Sequence, residues 1–128
     1  MAQSYSAFLV RDLIPKRAAL QAAIKALGFK LTLEDDYAPF ESSSYLPCTL
    51  DGEDAGCTIR FIESQSVAGK DSVMILKSGG DPREEITILM IAATLANSFN
   101  AVIQDKNNTE QSVVTLIAAA KVAFAALD

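Results

Sequence analysis

Hydrophobic and polar positions along this chain change period several times, and each change marks an element. The clearest run is Gly79-Gly80-Asp81-Pro82-Arg83-Glu84-Glu85, followed by Ile86 to Ser98 with few polar interruptions. Asp81 suits a helix cap because its carboxylate accepts a free N–H of the first turn; Pro82 suits the first helical position, and Glu84 and Glu85 favour the positive end of the helix dipole. Ile86, Leu89, Ala93 and Ala96 lie on one stripe and Ile88, Ile91 and Leu95 on another, so the helix needs cover on more than one side. Its apolar run is too short to span a bilayer, which makes it a core helix.

Helical spacing also governs Asp12 to Gly28, with Pro15 near the start, Gly28 as the stop, and Leu20, Ile24 and Leu27 on the packed face. Tyr5 to Val10, just before it, fits either an extra helical turn or a short strand. Phe29 to Glu34 alternates strictly and reads as a half-buried strand. A loop of turn formers and acids follows, from Asp35 to Ser44, with Tyr37 and Phe40 exposed among them.

Tyr45 to Leu50 and Ala55 to Ile62 form a hairpin around Asp51-Gly52-Glu53-Asp54. A two-residue turn at Gly52-Glu53 sets Leu50 opposite Ala55, Cys48 opposite Cys57 and Leu46 opposite Ile59, all on one apolar face. Pro47 places its strand at an edge or at a bulge. Beyond a polar loop from Ser64 to Asp71, Ser72 to Lys77 reads as a mostly buried strand leading into the core helix. Ala101 to Gln104 is a further strand and Asp105 to Asn108 a turn. A last helix runs from Thr109 or Glu110 to Leu127, with Val113, Leu116, Ala120, Phe124 and Leu127 on one face. The order α-β-β-β-β-α-β-α predicts a single α+β domain over residues 1–128, one layer of mostly antiparallel sheet with about five strands, packed with about three helices.

Composition narrows the chemistry. The chain has no His, which removes the commonest general base, the usual catalytic partner of Ser or Cys, and the commonest zinc ligand. Cys48 and Cys57 have no further Cys to complete a four-ligand site, so no metal is expected; they read as a facing pair of core thiols, with a cross-strand disulfide under oxidation as the alternative. Gly79-Gly80 lacks the spacing of a nucleotide loop and is followed by acids that repel phosphate, so no cofactor is expected there. A formal charge of −5 argues against a nucleic-acid surface. The first residues, Met1 to Ser6, have no basic segment leading into an apolar run, so a cytoplasmic protein without membrane attachment is the expectation.

The charge is uneven. Residues 1–30 carry five bases against Asp12, whereas residues 31–71 carry nine acids against Arg60 and Lys70. Six of these acids, Asp35, Asp36, Glu41, Asp51, Glu53 and Asp54, sit on predicted loops and turns. They read either as a solvated edge or as a surface for a basic protein, in which rim charges speed encounter and aromatic anchors hold the complex. On charge and expected exposure the contact residues are Asp35, Asp36, Tyr37, Phe40, Glu41, Asp51, Glu53 and Asp54, with Tyr45 as a further anchor.

The segments Tyr45-Leu46-Pro47-Cys48-Thr49-Leu50-Asp51-Gly52 and Gly80-Asp81-Pro82-Arg83-Glu84, followed by Leu95-Ala96 and Val102-Ile103-Gln104-Asp105, resemble those of bacterial immunity proteins. Such proteins accompany interbacterial toxins of type VI or contact-dependent systems. The resemblance implies a non-enzymatic function, neutralisation of a cognate toxin by occluding its active site or blocking its assembly, and it assigns no individual residue. A homodimer is compatible with it. Two other classes fit the sequence. One is a small-ligand protein or carboxylate-dependent enzyme with a pocket between sheet and core helix; the other is a secretion chaperone or assembly subunit.

Overall fold

The computed structural model describes residues 3–34, 37–41 and 45–127. In chain order its elements are β1 (Ser4–Leu9), a single 3-10 turn (Arg11–Leu13), α1 (Arg17–Ala26), β2 (Leu31–Leu33), β3 (Tyr45–Leu46), β4 (Cys48–Leu50) and β5 (Glu53–Asp54). Then come β6 (Cys57–Glu63), β7 (Ser72–Lys77), α2 (Pro82–Ser98), β8 (Val102–Asp105), β9 (Glu110–Gln111) and α3 (Val113–Ala125). The class is α+β, as the hydrophobic pattern indicates, and every strand pairing among the described residues is antiparallel. The strands are more numerous than expected and form two sheets, one ordered β3-β6-β7-β1-β8-β9 and one ordered β2-β4-β5.

α2 is the element on which both sheets converge. Asp81 Oδ1 accepts the Arg83 N–H at 2.8 Å and Pro82 opens the first turn, as the sequence requires. Ten of its residues are buried, including Thr87 and Thr94, so it is covered nearly all round. The polar pair is accommodated locally: Thr94 donates to the Met90 carbonyl at 2.7 Å, while the Thr87 hydroxyl lies 2.9 Å from the Arg83 carbonyl and 3.1 Å from that of Ala55. The second contact ties the helix start to the hairpin. One core joins α2 to Ala7 and Leu9 of β1, Ile59 and Phe61 of β6, Met74 and Leu76 of β7, and Ile103 of β8.

The uncertain segment before α1 is a strand, and it is central. β1 lies between β7 and β8, with Ala7 opposite both Met74 and Ile103. The first helix begins later than expected. Pro15 disfavours helical backbone at Ile14, which has ψ 124°, and the chain becomes helical only after Lys16. Likewise the last helix starts at Val113, capped by Ser112 Oγ on the Thr115 N–H at 3.1 Å. Asp105 Oδ1 gathers the N–H groups of Asn107 and Thr109 into a tight turn, and Glu110–Gln111 thereby pairs with β8 as an edge strand.

The hairpin differs in register. Its turn is Asp51-Gly52, with φ of 51° and 85°, and Leu50 pairs with Glu53. Positive φ at both central positions is the backbone that Asp-Gly supplies, and its twist matches that of the strands. Leu46 therefore faces Cys57 instead of Ile59. A two-residue shift keeps every side chain on its expected face, so Leu46, Cys48, Leu50, Cys57 and Ile59 are all buried. The ladder breaks at Pro47, which has no donor, so β3 joins the large sheet and β4 the small one. At Gly56 a Cβ would run into the Tyr45 ring and lie 2.7 Å from the Leu46 carbonyl. The Tyr45 side chain thus packs directly over the Gly56 backbone.

Candidate functional site: an acidic surface around the start of α2

Three chain segments meet the first turns of α2: the hairpin tip, the start of β1 and the end of α3. Two clefts result, each of about 420 Å³. The first is lined by Tyr5 of β1, Glu85, Ile86 and Leu89 of α2, and Ala123 and Ala126 of α3. The second is lined by Leu50, Asp51 and Glu53 of the hairpin, Arg83 of α2, and Phe124 of α3. Leu127 lines both, so they flank the end of α3 as neighbours.

The surroundings of the two tyrosines are negative. Burial, then the Asp105 and Glu85 carboxylates, push the Tyr5 hydroxyl above its ordinary range. Tyr45, 52 % exposed, has its hydroxyl pushed up by desolvation and then by Glu84, against a lowering hydrogen bond from the Gly56 backbone. Asp51, Glu53 and Asp54 are exposed at the tip, and Lys30 reaches Asp51 only at 4.0 Å in a solvated pair of small energetic weight.

The expected contact residues do not form one patch. Asp51 and Glu53 line the second cleft, and Asp54 stands beside them on β5. Tyr37 is a core residue, 4 % exposed, whose hydroxyl donates to the Pro15 carbonyl at 2.9 Å and whose ring meets Phe61 edge-on at 6.0 Å. Burial raises its pKa accordingly. Phe40 is half-buried between Phe61, at 5.6 Å, and the Arg11 guanidinium, 3.8 Å from its ring centroid. Glu41 is exposed, in a third cleft that Arg11, Lys16 and Arg17 also line. Asp35 and Asp36 lie outside the described residues.

Glu84, Glu85 and Tyr5 were not among the expected contacts. In the sequence the two glutamates carry a sufficient explanation as helix-start residues, and Tyr5 sits in a segment of undecided structure. Only the fold gathers them around the start of α2, Glu85 with Tyr5 in the first cleft and Glu84 near Tyr45.

Both cysteines are buried and free. A hydrogen bond with Cys57 and then burial push the Cys48 thiol up, and Cys48 Sγ lies 3.7 Å from the Leu46 carbonyl, so its nucleophilic thiolate form is disfavoured. Among the described residues no group of three His, Cys, Asp or Glu side chains is arranged to hold a metal, and no helix is long and apolar enough to cross a membrane. The arrangement suits binding: solvated carboxylates and two tyrosines around concave apolar patches, in which charge steers and rings anchor. Comparison of the chain with protein-family models, curated proteins and solved structures found no match.

Proposed function

We propose that this protein is a non-enzymatic, cytoplasmic binding protein that neutralises a cognate bacterial toxin by covering a basic surface on it, as immunity proteins of type VI or contact-dependent systems do. The observation that supports this reading most is the gathering of Asp51, Glu53, Glu84 and Glu85 with Tyr5 and Tyr45 around the first turns of α2. Interfaces of this kind draw their energy from a few aromatic or Arg anchors and their speed and selectivity from surrounding charge. Occlusion requires no catalytic group on the protein. It requires a surface of opposite sign to the toxin's substrate-binding region, which is basic in any toxin that acts on nucleic acid.

The experiment is co-expression with the product of the open reading frame immediately upstream, which this reading expects to be a toxin. The expected result is a complex that survives gel filtration and a host that survives induction of the toxin. A toxin that remains lethal and migrates separately would refute the reading.

A further inference from the structure

We propose, resting on that reading, that the cleft between β1, α2 and α3 is a socket for one lysine or arginine side chain of the basic partner. Its floor is made by Ile86 and Leu89 of α2 and Ala123 and Ala126 of α3, a surface on which an aliphatic stem can lie. Its polar groups are the Glu85 carboxylate, the Tyr5 hydroxyl and the Gln3 amide, and no Lys or Arg lines it. At about 420 Å³ it falls in the size range of ligand clefts, roughly 300–1,000 Å³.

The charges select the occupant. Among the described residues Glu85 has no ion-pair partner, and its carboxylate can only accept hydrogen bonds. Asp105 lies opposite Tyr5 across the β1–β8 pairing, so a second carboxylate neighbours Tyr5 besides the Glu85 that lines the cleft with it. An anion entering the cleft would be repelled by both. The first turn of α2 is already capped by Asp81, which weakens any attraction of the helix end for a second anion. A plain aliphatic side chain would desolvate Glu85 and Tyr5 without replacing their water, at a cost of the order of a lost hydrogen bond or more. A guanidinium or ammonium group on a carbon stem satisfies the floor and the rim together, and the Tyr5 ring adds a face for the cation.

The test uses the full ¹⁵N-labelled chain and four blocked tripeptides, acetyl-Ala-X-Ala-amide, with X as Arg, Lys, norleucine or Glu. The Arg and Lys peptides should cause saturable shifts of the Tyr5, Glu85, Leu89 and Ala126 amides, with dissociation constants on the order of millimolar. Norleucine and Glu should bind at least about tenfold more weakly, and Glu85→Gln should weaken the Arg peptide by about tenfold. Tyr5→Phe, which removes only the hydroxyl, provides a second variant and should weaken binding by a smaller factor. Equal binding of norleucine and Arg, an unchanged affinity in Glu85→Gln, or no saturation up to roughly 50 mM would each overturn the socket. The two proposals separate cleanly. A toxin complex without peptide binding sinks the socket alone, and peptide binding without a toxin complex sinks the docking role alone.

Discussion

The loop of residues 37–41 and the acidic hairpin tip at Asp51 to Asp54 have opposite fates in the fold. The first carries aromatic residues, and these decide its position: Tyr37 enters the core and Phe40 lies between Phe61 and Arg11. Its remaining acid, Glu41, comes to rest in a cleft with Arg11, Lys16 and Arg17, so the local charge is mixed. The tip has no aromatic to pull it inward. Its turn is formed by Asp51-Gly52 and its acids stay in solvent, with fewer bases near them: Arg83 in the same cleft and Lys30 at 4.0 Å from Asp51. Negative sequence charge becomes negative surface only where the fold brings few bases back onto it. Aromatics within an acidic loop are therefore a sign of packing as much as of recognition.

The largest effect that can test this contrast is Tyr37→Ala. Loss of a buried ring should lower stability by about 3–5 kcal/mol in denaturant unfolding. A loss under about 1 kcal/mol would return Tyr37 to the surface and erase the difference between the two stretches. Gly56→Ala should follow, at about 1–3 kcal/mol, because the added methyl overlaps the Tyr45 ring and crowds the Leu46 carbonyl.

Tyr37→Phe should cost about 1 kcal/mol at neutral pH, the hydrogen bond to Pro15. Its pH dependence has a definite sign. Burial raises the Tyr37 pKa in the native state, so the native chain retains a proton that the unfolded chain releases near pH 10. The stability from this group is complete below about pH 10 and is lost as pH rises towards the native value. Cys48, with its ordinary value of 9.0 also raised, adds a loss that begins lower. Alkaline unfolding of Tyr37→Phe should therefore be shallower than that of the native chain above about pH 10, and curves of identical slope would contradict the burial of this hydroxyl. Smallest in stability is the double reversal of Glu53 and Asp54 to Lys, which spares the positive-φ turn residue Asp51. Each exposed substitution should stay within about 0.5 kcal/mol, and a large loss would mean that the tip is part of the scaffold.

Much of the scaffold was legible because its signals are local. The β7 strand from Ser72 to Lys77 and the α2 helix from Pro82 to Ser98 begin and end where cap, proline and apolar run place them. The face pattern of the hairpin was also legible, because a shift by two residues leaves it unchanged. Its pairing was not, since Asp51-Gly52 and Gly52-Glu53 compete as turns and only the backbone angles decide between them. β1 escaped because its last residues, Ala7, Phe8 and Leu9, are all buried, and no alternation distinguishes them from a helical turn. β9 was absorbed into the following helix because its two residues have no period of their own.

Of the candidate site, Asp51, Glu53 and Asp54 could be read from a turn that must be exposed. Glu84, Glu85 and Tyr5 could not, since the pairing of Glu85 with Tyr5 and of Glu84 with Tyr45 comes from tertiary packing. Tyr37 and Phe40 were misplaced because an aromatic side chain in a loop gives no local indication of which way it points.

The most direct measurement is the association rate of this protein with the partner that co-expression identifies, in stopped flow at low and physiological salt. Glu53→Lys and Asp54→Lys together should slow association by about fivefold or more at low salt, with the difference shrinking as salt rises, while Glu41→Lys changes it little. Equal rates for the native chain and the double variant, or a larger effect from Glu41→Lys, would contradict the acidic-tip surface.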